Sequence, residues 1–282
     1  MMKTTMCGVL AAGLAASVGH AQSVHELLGM NVPAAQDPPT PADTGHASAE
    51  ESPFFVAWTV DPVIAGTANT KDDDSTTTQG FALQGGKIRY NVGVGTSVTF
   101  GWRIPDSYLF LQFSAGFSWN GVQSFDAGIE IAGVPAGNLS GGSGNFYQVP
   151  LLFTPGFEFD LPGGWPFMNG ALIRVGPTVG AVYQDLQVND IQRNAPGGGA
   201  EPTYSFGSDN WAFAYGAFVD LEFFLSHNMS LVLGYQFYAT TSVNYGRLVE
   251  TAPNGAVVTG GDQVKANSTY TNVVRCGLSF YF

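Results

Sequence analysis

From about residue 53 onward, apolar residues recur at every second position in eight separate stretches. They run Phe54 to Val60, Ile88 to Ile104, Leu109 to Trp119, Tyr147 to Phe159, Ala171 to Tyr183, Trp211 to Phe223, Leu231 to Ala239 and Val274 to Phe282. A period of two marks a strand whose alternate side chains point to opposite faces. In the second stretch the parity is unbroken through Ile88, Tyr90, Val92, Val94, Val98, Phe100, Trp102 and Ile104. That favours one long strand over a hairpin broken at Gly95-Thr96-Ser97, which would leave residues 54–65 outside the sheet. Pro150, Pro155 and Pro177 fall inside predicted strands, and because each lacks a ladder donor, bulges are expected there.

None of the eight apolar faces carries a charge. Lys87, Arg89, Arg103, Arg174 and Arg275 lie on the opposite parity, joined by Glu158, Asp160, Asp220 and Glu222. The connections alternate strictly. Short turns at 105–107, 161–166 and 226–228 are separated by long polar or Gly-rich links at about 66–84, 121–144, 185–209 and 246–267. Short turns on one side and long links on the other describe an up-and-down barrel, and a sheet in hydrocarbon must close to satisfy its edges. The pattern predicts an all-β fold, an eight-stranded antiparallel up-and-down transmembrane β-barrel over residues 53–282. The even strand number places both termini on the periplasmic side.

Composition sharpens this picture. The 282 residues include 37 Gly, 21 Phe and 11 Tyr, and only 11% are charged, which suits strands with an aromatic-rich surface rather than a helical enzyme. Met1-Met2-Lys3, an apolar small-residue run to Gly19, and Gly19-His20-Ala21 form the three parts of a secretory signal peptide over residues 1–21, with cleavage near Ala21. Residues 22–52 carry Pro33, Pro38, Pro39 and Pro41 and are expected to form a flexible periplasmic extension. A formal net charge of −12 argues against a nucleic-acid partner. Of the two cysteines, Cys7 lies in the signal, so Cys276 has no partner for an intramolecular disulfide.

The chain ends Val273-Val274-Arg275-Cys276-Gly277-Leu278-Ser279-Phe280-Tyr281-Phe282. This ending resembles the closing strand of bacterial outer-membrane β-barrels. Tyr147-Gln148-Val149-Pro150-Leu151-Leu152-Phe153, the run Val175 to Tyr183, and Trp211 to Phe218 leading to Leu233-Gly234-Tyr235-Gln236-Phe237 look like strands of the small eight-stranded, OmpA-type members. The resemblance implies that Leu278, Phe280 and Phe282 form the insertion signal read by the barrel assembly machinery. It also implies an outer-membrane location, with membrane lipid and lipopolysaccharide as surroundings and a monomeric state. The family holds anchors, adhesin-like proteins, conduits and a few lipid-modifying enzymes, so the likeness specifies architecture and not activity.

Chemistry is sparse. A Ser-His or Asp-His hydrolase needs a His near the outer rim. His25 and His46 lie in the extension and His227 in a short turn, so no enzyme is expected. Lys71-Asp72-Asp73-Asp74 lacks the Gly and distal Glu of an EF-hand loop and reads as a solvated tip. No metal or cofactor is expected. The remaining constellation is a lumen charge network of Arg103, Glu158, Asp160, Arg174, Asp220, Glu222 and Arg275. Arg174 and Arg275 are expected nearer mid-height and the others near the short turns. Two functions follow. One is a plugged barrel with a structural or surface-interaction role through its long loops. The other is a transport protein passing small or hydrophobic molecules, for which inward glycines such as Gly93, Gly95, Gly116 and Gly176 leave room.

Overall fold

A computed structural model describes residues 53–72, 81–131, 134–161, 170–194 and 201–282. The expected signal peptide, the Pro-rich extension, Asp73-Asp74 and most of the turn after Leu161 lie outside the described residues. Among the described residues no helix is long and apolar enough to cross a membrane, which says nothing about spanning by strands.

The fold is all-β, an antiparallel up-and-down sheet. Its strands are β1 (Phe54–Ala65), β2 (Ala68–Asp72), β3 (Phe81–Tyr90), β4 (Gly93–Arg103), β5 (Leu109–Ile131) and β6 (Val134–Leu161). They continue with β7 (Ala171–Asn194), β8 (Thr203–Ser226), β9 (Met229–Thr240), β10 (Val243–Thr251), β11 (Val257–Ala266) and β12 (Tyr270–Tyr281). Pairing runs β1–β4–β5–β6–β7–β8–β9–β12 and returns to β1. A second circuit uses the far halves of β5 to β8 and continues β8–β10–β11–β2–β3–β5.

Among the described residues twelve strands therefore stand where the alternation predicts eight. Four of the predicted strands are followed or preceded by a second strand across a short interruption: Gly66-Thr67, Asn91-Val92, Thr241-Ser242 and Asn267-Thr269. The links at 121–144, 185–209 and 246–267, expected to be loops, are largely strand. Their sequences look loop-like because their exposed positions are polar and glycines interrupt them. Gly141 and Gly142 take φ of +83° and +85° inside β6, a conformation other residues resist.

Residues 88–104 are two strands, and the interruption falls at Asn91-Val92, not at Gly95-Thr96-Ser97. Residues 54–65 lie within the sheet, paired with β4 and β12. Across the break the faces exchange: Ile88 is fully buried, whereas Val94 is 60% exposed. Lys87 and Arg89, expected inside, are exposed, and Arg89 pairs with Asp126 at the surface, 3.3 Å away. The prolines also depart from expectation. No register shift occurs at Pro150, Pro155 or Pro177; the ladder skips from Phe153↔Val179 to Phe157↔Val175 and resumes unchanged. A strand accepts proline's fixed φ and loses only the missing donor.

The two circuits differ in what they bury: the first mixes polar and apolar side chains, whereas the second packs an apolar core. In β7 the buried side runs Leu172, Arg174, Thr178, Val182 and Gln184, then becomes apolar at Leu186 and Val188. Its exposed side starts with Val175 and Val179, each about 40% exposed, and becomes Gln187 and Asn189. β6 makes the same exchange between Gln148 and Phe146 inside. The first circuit thus shows an apolar exterior, with Trp58, Phe100, Trp119, Phe153, Trp211, Phe213 and Tyr235 exposed. The second has an apolar core of Ile88, Phe125, Phe146, Leu186, Phe206, Tyr245 and their neighbours.

Candidate functional site

The buried face of the first circuit holds the buried ionic side chains of the described residues: Asp61, Glu158, Arg174, Asp220, Glu222 and Arg275. Cross-strand register sets the layer: Arg174 on β7 lies opposite Glu158 on β6 and Asp220 on β8. Parity turns all three inward, and the register puts them at one height, so Arg174 is not displaced toward mid-height as the sequence suggests.

Arg174 is 1% exposed. Its Nε donates to Glu158 Oε2 at 2.6 Å, one terminal nitrogen pairs with Glu222, and the other donates to the Tyr281 hydroxyl at 3.0 Å. Tyr281 in turn donates to Glu222 Oε2, which also accepts from Ser230 Oγ at 2.6 Å. Arg103 pairs with the other oxygen of Glu158. The guanidinium carbon of Arg174 sits 3.8 Å from the ring centroid of Phe55, with Phe110 and Tyr281 flanking it at 5.6 and 5.8 Å. A desolvated guanidinium gains from aromatic faces as well as from its carboxylates. Gly101, opposite Phe55 on β4, makes room for that ring: a Cβ there would meet Phe55 Cζ at 1.9 Å.

A second ionic centre lies beside the first. Arg275 on β12 donates to Asp220 Oδ2 at 2.6 Å and to Thr99 Oγ1 at 3.1 Å. Asp220 faces Gly234 in register, and a Cβ on Gly234 would come within 1.9 Å of Asp220 Oδ1. Farther from the short turns follows an uncharged polar layer in which Tyr238 and Thr271 donate to Gln148, Tyr245 donates to Gln184, and Gln184 donates to Thr240. Val63, Leu152, Val182, Ala214, Tyr238 and Val273 pack together within this level.

Of the seven network residues read from sequence, Arg103, Glu158, Arg174 and Glu222 form one connected group, and Asp220 with Arg275 forms the other. Asp160 does not join them; it is exposed near the end of β6, two residues beyond Glu158. Sequence reasoning missed Asp61, which is 4% exposed and accepts from Ser97 Oγ at 3.0 Å. Its signal was its inward parity, two residues past Thr59. It also missed Phe55 and Tyr281 as the aromatic partners of Arg174. Leu278, Phe280 and Phe282 all lie on the outward parity of β12, and the Phe282 N–H donates to Phe54 O at 3.0 Å.

Among the described residues no three His, Cys, Asp or Glu side chains cluster closely enough to hold a metal ion. The one described histidine, His227, is exposed in the turn between β8 and β9. Every ionised group in the buried layer is engaged by ion pairs or hydrogen bonds, an arrangement suited to cross-linking strands.

No protein-family model matches this chain. No curated protein matches it. Among solved structures it is similar to the outer membrane protein OprG from Pseudomonas aeruginosa, at 12% identity over 82% of this chain and 96% of that one, with a TM-score of 0.37. It is likewise similar to a major outer membrane protein from Thermus thermophilus, at 14% identity over 80% and 99%, TM-score 0.38. The outer membrane protease OmpT from Escherichia coli aligns at 12% identity over 82% and 97%, TM-score 0.37.

Proposed function

We propose that this chain is an integral outer-membrane protein, a closed eight-walled β-barrel whose lumen is filled by its own side chains. In this reading β1–β2, β3–β4, β9–β10 and β11–β12 each count as one interrupted wall, and β5 to β8 are the other four. The single observation that carries it is the exchange of polarity along the walls. An exposed apolar band crossing all eight strands of the first circuit has no use in water and matches the hydrocarbon depth that about ten tilted strand residues cover. Beyond the band the same walls turn water-facing outside and apolar inside, as a soluble sheet does.

The role is structural or surface-interacting, and not enzymatic. The belt half is occupied by the Arg174 and Arg275 centres, and the outer half is packed with Phe125, Phe146, Leu186 and Phe206. Such an interior holds the walls together and leaves the outer half as a rigid display surface. Lipid and lipopolysaccharide surround the band, and the outward Leu278, Phe280 and Phe282 serve insertion by the assembly machinery.

The test is placement. The full chain expressed in a Gram-negative cell is expected in the outer-membrane fraction, resistant to alkaline carbonate extraction. A cysteine placed at Asn189 in a Cys276→Ser background is expected to label from outside intact cells. Recovery as soluble periplasmic protein would overturn the proposal.

A further inference from the structure

The charges buried in the first circuit do not balance. Three guanidinium groups, on Arg103, Arg174 and Arg275, face four carboxylates, on Glu158, Glu222, Asp220 and Asp61. Arg275 is committed to Asp220 and Thr99, so the excess negative charge falls on Asp61. A buried carboxylate without a counter-charge costs several kcal/mol.

Asp61 borders a cavity of about 20 Å³. Its Oδ2 is engaged by Ser97, and its Oδ1 has no partner among the described residues. Two more side chains lining the same cavity, Ser118 through Oγ and Gln236 through its amide nitrogen, are buried and equally unpartnered. The hollow exists because two inward positions on adjoining walls, Gly95 on β4 and Gly116 on β5, lack side chains. A Cβ on Gly95 would press to 3.0 Å from Ser118 Cβ, and one on Gly116 to 3.2 Å from Ser97 Cβ. A space of this size holds one water-sized body. A water would satisfy the hydrogen-bonding atoms but leave the charge standing.

We propose that the cavity beside Asp61 binds one monovalent, sodium-sized cation, held by the Asp61 carboxylate and by the hydroxyl oxygens of Ser97 and Ser118. All of these are hard oxygen donors, suited to an alkali cation and not to a soft metal. One positive charge neutralises the buried layer, whereas a divalent ion would reverse the imbalance. The inference rests on the charge inventory and the cavity, and it holds whether or not the barrel conducts.

The experiment is urea unfolding of the refolded full chain in lipid vesicles, in sodium chloride and in choline chloride at equal ionic strength. The midpoint is expected to be higher in sodium and to rise saturably with sodium concentration, because an ion bound only by the folded state stabilises it by mass action. Asp61→Asn is expected to abolish the difference, and Ser118→Ala to raise the half-saturating sodium concentration roughly tenfold, the change that about 1.4 kcal/mol of lost ligation produces. Equal midpoints in sodium and choline would overturn the proposal, as would a sodium effect that survives in Asp61→Asn. Should Asp61→Asn not fold, Ser118→Ala decides: a shifted sodium titration supports the site, and an unshifted one refutes it.

Discussion

Arg174 shows how much one side chain can organise. It touches two carboxylates, a phenol and three aromatic faces contributed by β1, β5, β6, β8 and β12. Removing one partner of a buried ion pair strands the others, so Arg174→Ala is expected to cost about 3–5 kcal/mol of folding stability. Urea unfolding in vesicles measures this, and a wild-type midpoint would show that the cluster is not structural. Gly101→Ala acts on the same centre from below. Its new methyl would occupy the place of the Phe55 ring, so the variant should fold more weakly, and Phe55→Ala combined with it should recover part of the loss. Parity made most of these residues legible: Glu158, Arg174, Asp220, Glu222 and Arg275 all stand opposite the uncharged faces of their strands. Asp160 shares that parity, yet it reaches the open end of β6, where burial stops. Asp61 was hidden because Pro62 made the end of the first alternating stretch look like a terminus, although β1 runs on to Ala65.

For the elements, the informative failure is β3 and β4. An even-numbered apolar pattern from Ile88 to Ile104 reads as one strand with one face, but two residues at Asn91-Val92 leave the ladder and the faces exchange. Before the break apolar means inside, and after it apolar means outside, so the count continues while its meaning reverses. Sequence alternation cannot distinguish these, because both faces of such a wall alternate with the same period. Site-directed labelling in a Cys276→Ser background resolves it. Lys87→Cys should react with a membrane-impermeant maleimide, while Phe100→Cys, two-thirds of the way along β4, should react only with a lipid-soluble reagent. A Lys87→Cys that stays unreactive, with Phe100→Cys still reacting only with the lipid-soluble reagent, would restore a single uninterrupted strand. The long links were misread for a related reason. At positions such as Asp185, Gln187 and Asn189 the polar residues are the solvent side of a strand, and their partners Leu186 and Val188 are its core.

On the scale of the whole molecule, the proposed barrel sets one set of walls against two solvents. Where the proposed exterior faces hydrocarbon, the interior holds guanidinium groups that are each paired with a carboxylate. Where the exterior meets water, the interior is an ordinary apolar core. Up-and-down order, antiparallel pairing and the apolar band were all legible in the sequence; the height of the walls and the apolar outer core were not. The outer core also predicts a response to alkali. Burial pushes the phenols of Tyr90 and Tyr245, which lie outside the apolar band, above their usual value. A folded-state value above the unfolded value of about 10 means that their contribution is complete below that pH and is lost as pH rises through and beyond it. Protease resistance of the outer half should therefore fall at strongly alkaline pH, and Tyr245→Phe should lessen the fall. Resistance unchanged by pH would place those phenols in water.

The most direct measurement of the central claim is single-channel conductance of the refolded mature protein in a planar bilayer, with Arg174→Ala alongside. A lumen filled by its own side chains predicts an inserted wild-type protein that passes no discrete current. Regular conductance steps from the wild type, altered in size or selectivity by Arg174→Ala, would contradict the filled barrel and make the buried charges the lining of a pore.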